Sequence, residues 1–246
     1  MKIVDAVKII PTCENFKKDF TIYALLTVVV TVLSYTSKSD FFKDTTMLLL
    51  SSLIIIGCAI LTCGYYLVAL RNYMLCKPNF LPEWFKKHDI KEITIGALKY
   101  MLALFLCIII VALWNIIGMH LIKTNQFAAP VFISLVIINI SFLVAIIVFL
   151  PAITIEFCTN LKFRSFFNLQ QIVSIIQTAG WHYYKAVGIV LLLNLIITVF
   201  YNYTQNILSL NIIFSVFSTY VSLIAAIFYG DVFRKVVEKR KEQESI

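Results

Sequence analysis

Four asparagines stand inside long apolar runs: Asn115, Asn139, Asn194 and Asn211. A side-chain amide in hydrocarbon has no water to bond, so each should turn toward other helices. There it would act as a hydrogen-bonding anchor or line a path for a small polar solute. No ionisable residue lies at mid-membrane depth, which favours the anchoring role. Charges gather instead where apolar runs end, at Arg71, Glu156 and Asp231. Pro151 cannot donate to a helix ladder, and the kink expected there frees a carbonyl near which Arg71 could close a clasp onto Glu156 or Asp231. The plainer alternative is three separate charges solvated by water and lipid head groups.

The other reactive residue types do not assemble by spacing. Cys58, Cys63 and Cys107 fall in apolar runs, and Cys13, Cys76 and Cys158 fall on or near the basic side, with no Cys-x-x-Cys pair among them. They read as small apolar packing residues. His88, His120 and His182 are far apart, and the chain has no HExxH, no GxSxG and no glycine-rich phosphate loop. No catalytic residue, metal ligand or cofactor is nominated, and a non-enzymatic role is expected.

The elements that must hold these residues follow from composition. Of 246 residues, 61% are hydrophobic and 14% charged, with a mean hydropathy of +0.90. Soluble domains run at about 45–50% apolar and about 25% charged, so this chain cannot cover its apolar content in water. With only 7 Gly, 5 Pro and 6 Cys, it is not a collagenous, disordered or disulfide-stapled chain either. Hydropathy over windows of about 19 residues marks six spans. They cover Phe20–Tyr35, Met47–Leu70, Tyr100–Ile122, Ala129–Glu156, Ala186–Tyr201 and Ile207–Tyr229. The fold class is therefore all-α and polytopic, with six transmembrane helices in a single membrane domain over residues 1–233 and a charged tail over 234–246. The first apolar run follows about 19 lysine-rich residues and lacks a small-residue cleavage site, so it should persist as an anchor.

Orientation comes from the cations. Of 21 Lys and Arg, 17 fall before the first span, in alternate connections or in the tail. Only Lys38, Lys43 and Lys123 lie on the other side, and Lys99 stands at the start of a span. The positive-inside rule puts both termini in the cytoplasm. The net charge of +8 then reads as topology and attraction to anionic head groups. Nucleic acid is not an expected partner, because no folded basic module accompanies the charge.

Each pair of spans follows an arm with amphipathic spacing. In the first, Ile3, Val7 and Ile10 share a stripe, with Lys2, Asp5 and Lys8 off it and Pro11 as the stop. In the second, Leu81, Trp84 and Phe85 share a face, and Asp89 with Glu92 resembles a cap opening the third span. In the third, Leu169, Ile172, Val173 and Ile176 recur at helical spacing behind an Asn168/Gln171 capping pair. These arms are expected to lie in the cytoplasmic interface, with Trp84 and Trp181 as anchors. The layout predicts three parallel units over about 1–78, 79–164 and 165–233. Within them Lys18, Asp19, Thr21, Ile22, Ala24 and Leu25 align with Lys91, Glu92, Thr94, Ile95, Ala97 and Leu98.

Several of these stretches resemble the bacterial and archaeal membrane-protein family called domain of unknown function 4013. They are Gly64-Tyr65-Tyr66, Arg71-Asn72, Leu81-Pro82-Glu83-Trp84 and Thr94-Ile95-Gly96-Ala97-Leu98-Lys99, followed by Leu150-Pro151-Ala152 and Arg164-Ser165-Phe166-Phe167-Asn168-Leu169. The resemblance runs over roughly Met1 to Phe233. It implies a prokaryotic cell membrane and a multi-pass architecture, and it carries no activity or functional residue across. The expectation is a non-enzymatic membrane protein that organises or assists membrane-protein partners at the inner leaflet, with anionic head groups as its lipid partner. The alternative is a small-solute transporter or permease subunit with an Asn-lined interior.

Overall fold

The computed structural model describes residues 3–37, 45–124, 128–204 and 206–244. Lys2, Lys38, Lys43 and the last two residues of the tail lie outside them. Eight α-helices and two short 3-10 turns make up the described chain, with no strand among the described residues. The helices are α1 (Ile3–Ile9), α2 (Phe16–Thr36), α3 (Thr45–Met74), α4 (Lys87–Lys123), α5 (Ala128–Asn160), α6 (Leu169–Ala179), α7 (Trp181–Thr204) and α8 (Leu208–Glu244). The 3-10 turns are Ile10–Thr12 and Phe163–Phe167. Six of the helices, all but α1 and α6, are long and apolar enough to cross a membrane. α4 and α8, each of 37 residues, measure about 55 Å at the helical rise. Both exceed a bilayer core of about 30 Å, so each carries its polar residues beyond it at one end.

Spanning helices that follow one another in the chain run antiparallel, whereas α3 and α8 pack in parallel, and named contacts fix the register. Between α2 and α8, Tyr23 and Ser222 share a hydroxyl–hydroxyl bond of 2.8 Å and Thr219 donates to Thr27 at 3.1 Å, while Tyr35 donates to the Asn206 carbonyl, just before α8, at 3.1 Å. Between α3 and α4 the approach is backbone to backbone: a Cβ on Gly64 would collide with the Ile93 carbonyl. Gly57, one heptad earlier on α3, is different, because a Cβ there would have no described atom within 4 Å. The two glycines therefore do not form one contact stripe.

The core is gathered toward the end of the bundle where α1 begins and α8 finishes, called the basic end below. Tyr65, Leu67, Val68, Ala69 and Leu70 of α3 are almost wholly buried there, with Ala152, Ile155, Phe157 and Cys158 of α5 and Leu223, Ala226 and Ile227 of α8. At the far end α4 and α5 are mostly exposed, and Leu106, Ile110, Ile116, Ile133, Ile140 and Leu143 all face outward. Pro151 lies within α5, which continues through it to Asn160. A carbonyl near the missing ladder bond, that of Val148, accepts from the Tyr183 hydroxyl of α7.

The three arms differ from one another. α6 forms as expected: Asn168 Oδ1 accepts from the Gln171 amide at 3.5 Å, and the helix stops at Gly180, whose φ of 55° favours glycine. Its buried face is Ile172, Ile175, Ile176 and Ala179, rotated from the expected stripe so that Leu169 and Val173 are exposed. The face shifts because α6 packs against both α5 and α8. In α1 it is Ala6 that is buried, with Ile10 just beyond it, while Ile3 and Val7 stay exposed. The second arm forms no helix: the chain from Leu75 to Lys86 is irregular. Five residues with helical spacing are too few to nucleate one, and Leu81 and Trp84 have better partners in the core.

Trp84 is therefore not an interfacial anchor. Its ring stacks on Tyr65 at 4.9 Å, Tyr65 stacks on Tyr23 at 4.6 Å, and its Nε1 donates to the Asp19 carbonyl at 3.0 Å. Asp89 does not cap a helix either, because its carboxylate accepts the Glu83 amide at 2.9 Å and stitches the irregular segment to α4. Trp181, at the first position of α7, is 76% exposed and free to lie in an interface. The stretch from Arg234 is no separate tail, since α8 continues to Glu244 with Val236 buried. Arg240 donates to Ser174 at 2.9 Å and Lys239 to the Thr178 carbonyl at 2.9 Å, both on α6.

Candidate functional site

The four asparagines do not meet in one interior. Asn115 and Asn139 pair reciprocally across α4 and α5, with donor–acceptor distances of 3.1 and 2.9 Å. Each uses its second N–H on the carbonyl four residues earlier, Val111 and Leu135, at 2.8 Å. The pair is closed on itself and satisfied, as an interhelical anchor should be. One turn further out, Leu135 packs directly on Gly118. Asn194 contradicts the expectation: it is exposed on the outer face of α7 and donates to Val190 of its own helix at 2.9 Å. A solvated or lipid-facing amide can satisfy part of its need on the i−4 carbonyl, which the asparagine count alone could not reveal. Asn211 is buried at the start of α8 and accepts from Thr204 of α7 at 3.2 Å.

The expected clasp is also redistributed. Arg71 pairs with Glu92 at 2.7 Å, because the Gly64 contact brings the first turns of α4 against the end of α3. Glu156 lies beside Asn168 and feels the charge of Arg240 without a direct ion pair among the described residues, and Asp231 is 3.9 Å from Lys235 on the same helix. Arg234 also ties two spans together at this end. Its guanidinium lies 4.0 Å from the Tyr73 ring centroid, and its Nε and Nη2 both donate to the Tyr73 carbonyl, the former at 3.1 Å. One side chain thus caps the last turn of α3 and stacks on it, where a cation is favoured by the helix dipole. Gly230, one turn earlier, makes room for the same tyrosine, since a Cβ there would collide with its ring.

Arg71 belongs to a different constellation. His88, Lys91, Glu92, Ile95, Gly96 and Lys99 occupy one face of the first three turns of α4, and they floor a cavity of about 380 Å³. Arg71 closes one side, and Asn160, Leu161 and Lys162 at the end of α5 close the other. Lys99 donates to the Leu161 carbonyl at 3.3 Å, so this cation sits at the negative end of α5. Leu161 holds a left-handed φ of 50°, uncommon for a branched residue. Its side chain is buried against Gly96, and its amide bonds Phe157 at 2.8 Å. The cavity therefore has four cations facing one carboxylate, three of them on helices and Lys162 in the turn that follows α5. Beyond Asn160 and Lys162, which line both, a second cavity of about 520 Å³ adds Arg164, Ser165, Phe167, Asn168 and Glu156.

A third cavity, about 300 Å³, opens between α2, α3 and α8 and is lined by hydroxyls: Tyr23, Thr27, Thr62, Tyr66, Ser218, Thr219 and Ser222, with Cys63. Several are spent on their own helices, Thr27 on the Tyr23 carbonyl at 3.1 Å, Thr62 on Ala59 at 3.1 Å and Ser222 on Thr219 at 2.7 Å. All six cysteines are free thiols. Cys158 bonds the Leu67 carbonyl at 3.4 Å in the core, and burial pushes the Cys13 thiol up, away from reactivity.

The basic cavity and the hydroxyl groove were both hidden from sequence reasoning. The cations of the basic cavity were visible only as a topology count. The usable signal was Lys99, set two turns beyond Lys91 and Glu92 on the same face and inside an apolar run.

No curated protein matches this chain, and no solved structure does. A family model described as Protein of unknown function (DUF4013) matches residues 46–204. That stretch runs from α3 to the end of α7 and contains Gly64, Arg71, Glu92, Lys99, Asn115, Asn139 and Lys162, while α1, α2 and α8 lie outside it. Because it makes up well over half of the chain, the protein belongs to the DUF4013 family.

Proposed function

We propose that this chain is a non-enzymatic, multi-pass protein of a prokaryotic cell membrane, with both termini cytoplasmic. Its packed basic end engages the anionic inner leaflet and organises or assists membrane-protein partners there. The observation that carries this reading is the asymmetry of the bundle. Cations, buried core, α6 and the extension of α8 all concentrate at one end, whereas the far halves of α4 and α5 offer little beyond apolar surface. Basic residues near a bilayer surface each contribute about 1 kcal/mol of attraction to anionic lipid, so such an end is held and oriented by the leaflet it faces.

The test uses the full chain in vesicles of mixed phosphatidylglycerol and phosphatidylcholine, extracted with a polymer that retains the surrounding lipid. Enrichment of phosphatidylglycerol over the bulk is expected. In a variant keeping only Cys76, which is exposed at the basic end, a membrane-impermeant thiol reagent should label inverted vesicles but not intact cells. No enrichment, or labelling from outside, would sink the reading.

A transport role has one observation in its favour, and it is not the asparagines. The hydroxyl groove between α2, α3 and α8 is polar, and Cys63 lines it. Under that reading a chain keeping only Cys63 reacts with a small impermeant thiol reagent added from either side. Lack of reaction retires it.

A further inference from the structure

The cavity at the junction of α3, α4 and α5 has more positive charge than its protein partners use. Glu92 is committed to Arg71 at 2.7 Å, and no second carboxylate lines the cavity. The Arg71 Nε is buried and has no hydrogen-bond partner among the described residues. Orphaned buried donors are rare, and one on a guanidinium that is already half paired points to a missing acceptor. Lys99 gives one proton to the Leu161 carbonyl and keeps two. Lys91 and Lys162, on opposite sides of the opening, form no ion pair among the described residues. A group that satisfies this set must carry several acceptor oxygens and negative charge in a small volume, which describes a phosphate ester.

The surface beside the cavity says what the ester is attached to. Ile95 lines the opening, and Leu98 and Leu102 continue the same face of α4 toward the far end, all three exposed. Lys91 starts that stripe. Charge at the interface followed by an apolar track along a spanning helix matches an amphiphile lying parallel to the helix.

We infer that this cavity is a phosphate-ester site, filled by the head group of an anionic phospholipid whose acyl chains run along Ile95, Leu98 and Leu102. The inference rests on the inner-leaflet reading above and specifies one site within it. A soluble phosphate ester would meet the same cations but gain nothing from the apolar track.

Native mass spectrometry of the full chain in detergent tests it, with phosphatidylglycerol, phosphatidylcholine and soluble glycerol 3-phosphate as probes. The wild-type chain should retain one phosphatidylglycerol in preference to phosphatidylcholine. Removing two interfacial charges with Lys91→Gln plus Lys162→Gln should weaken retention about 30-fold. Lys8→Gln plus Lys241→Gln removes the same charge from exposed positions elsewhere on the basic end and should leave it unchanged. Equal weakening in both variants, or equal retention of the two lipids, overturns the site. Displacement of the lipid by glycerol 3-phosphate at comparable concentration keeps the phosphate site and assigns it to a soluble ester. If no lipid is retained while vesicle-extracted protein still enriches phosphatidylglycerol, the cavity inference falls and the inner-leaflet reading stands.

Discussion

The two ends of the α4/α5 hairpin differ in composition and are packed in different ways. Near the basic end, Ile93, Ala97, Tyr100, Ala152, Ile155 and Phe157 are buried among α3, α7 and α8, and Tyr100 bonds Thr154 at 2.7 Å. Toward the far end the same two helices touch chiefly each other, through Asn115 with Asn139 and Gly118 with Leu135. The far end is the more apolar of the two, yet it is the less buried. In a bilayer apolar surface has no driving force toward apolar surface, so hydrophobicity buys span and not packing. Close backbone approach, aromatic stacking and charged caps do the packing, and those features cluster at the basic end.

The sharpest way to break that contrast is one substitution made at two positions of α3, two turns apart. Gly64→Ala drives a methyl group into the Ile93 backbone, which cannot rotate away. A destabilisation of about 3 kcal/mol or more is expected, at the top of the overpacking range. Gly57→Ala meets open space and should be neutral or stabilise by about 0.5 kcal/mol through helix propensity. Thermal unfolding of both variants in the same detergent compares them. Similar melting temperatures would mean that the basic end is not the rigid half.

Arg234 comes next in size. Arg234→Ala removes the stacking on Tyr73 and two charged hydrogen bonds, a loss of about 2–3 kcal/mol. Arg234→Lys keeps the charge without the planar fork and should recover less than half of that stability. Melting temperatures ordered wild type, Lys, Ala support an anchoring role, and a Lys variant as stable as wild type would reduce Arg234 to a generic surface charge.

The same contrast explains which features were legible in the sequence. Spans are a matter of length and hydropathy, so all six were readable to within a few residues at their far ends. The basic-end extensions of α4 and α8 were not, because their charged residues look like loop until neighbouring helices cover them. α6 was readable because its cap and its periodicity agreed. The Leu81–Phe85 segment carried similar periodicity without the length to use it, and Trp84 found a stacking partner on Tyr65 that no local pattern announces. For the sites, residue type showed that Asn115 and Asn139 needed partners. Only the register of α4 on α5 showed that they were each other's.

That register provides the smallest and cleanest test, because the asparagines include their own control. Asn115 and Asn139 each spend two N–H donors, one across the helix pair and one on their own helix. Asn194 spends one on its own helix and faces outward. Replacing Asn115 or Asn139 by Leu leaves its partner amide half satisfied in an apolar surround and should cost about 1 kcal/mol. The double variant removes both amides together, so its loss should fall short of the sum of the single losses by a coupling of about 0.5–1 kcal/mol. Asn194→Leu breaks no contact between helices and should change the melting temperature little in either direction. Additive losses for Asn115 and Asn139 would mean that the amides do not hold the far end of the hairpin together, and only the packing of Leu135 on Gly118 would remain to join the two helices there.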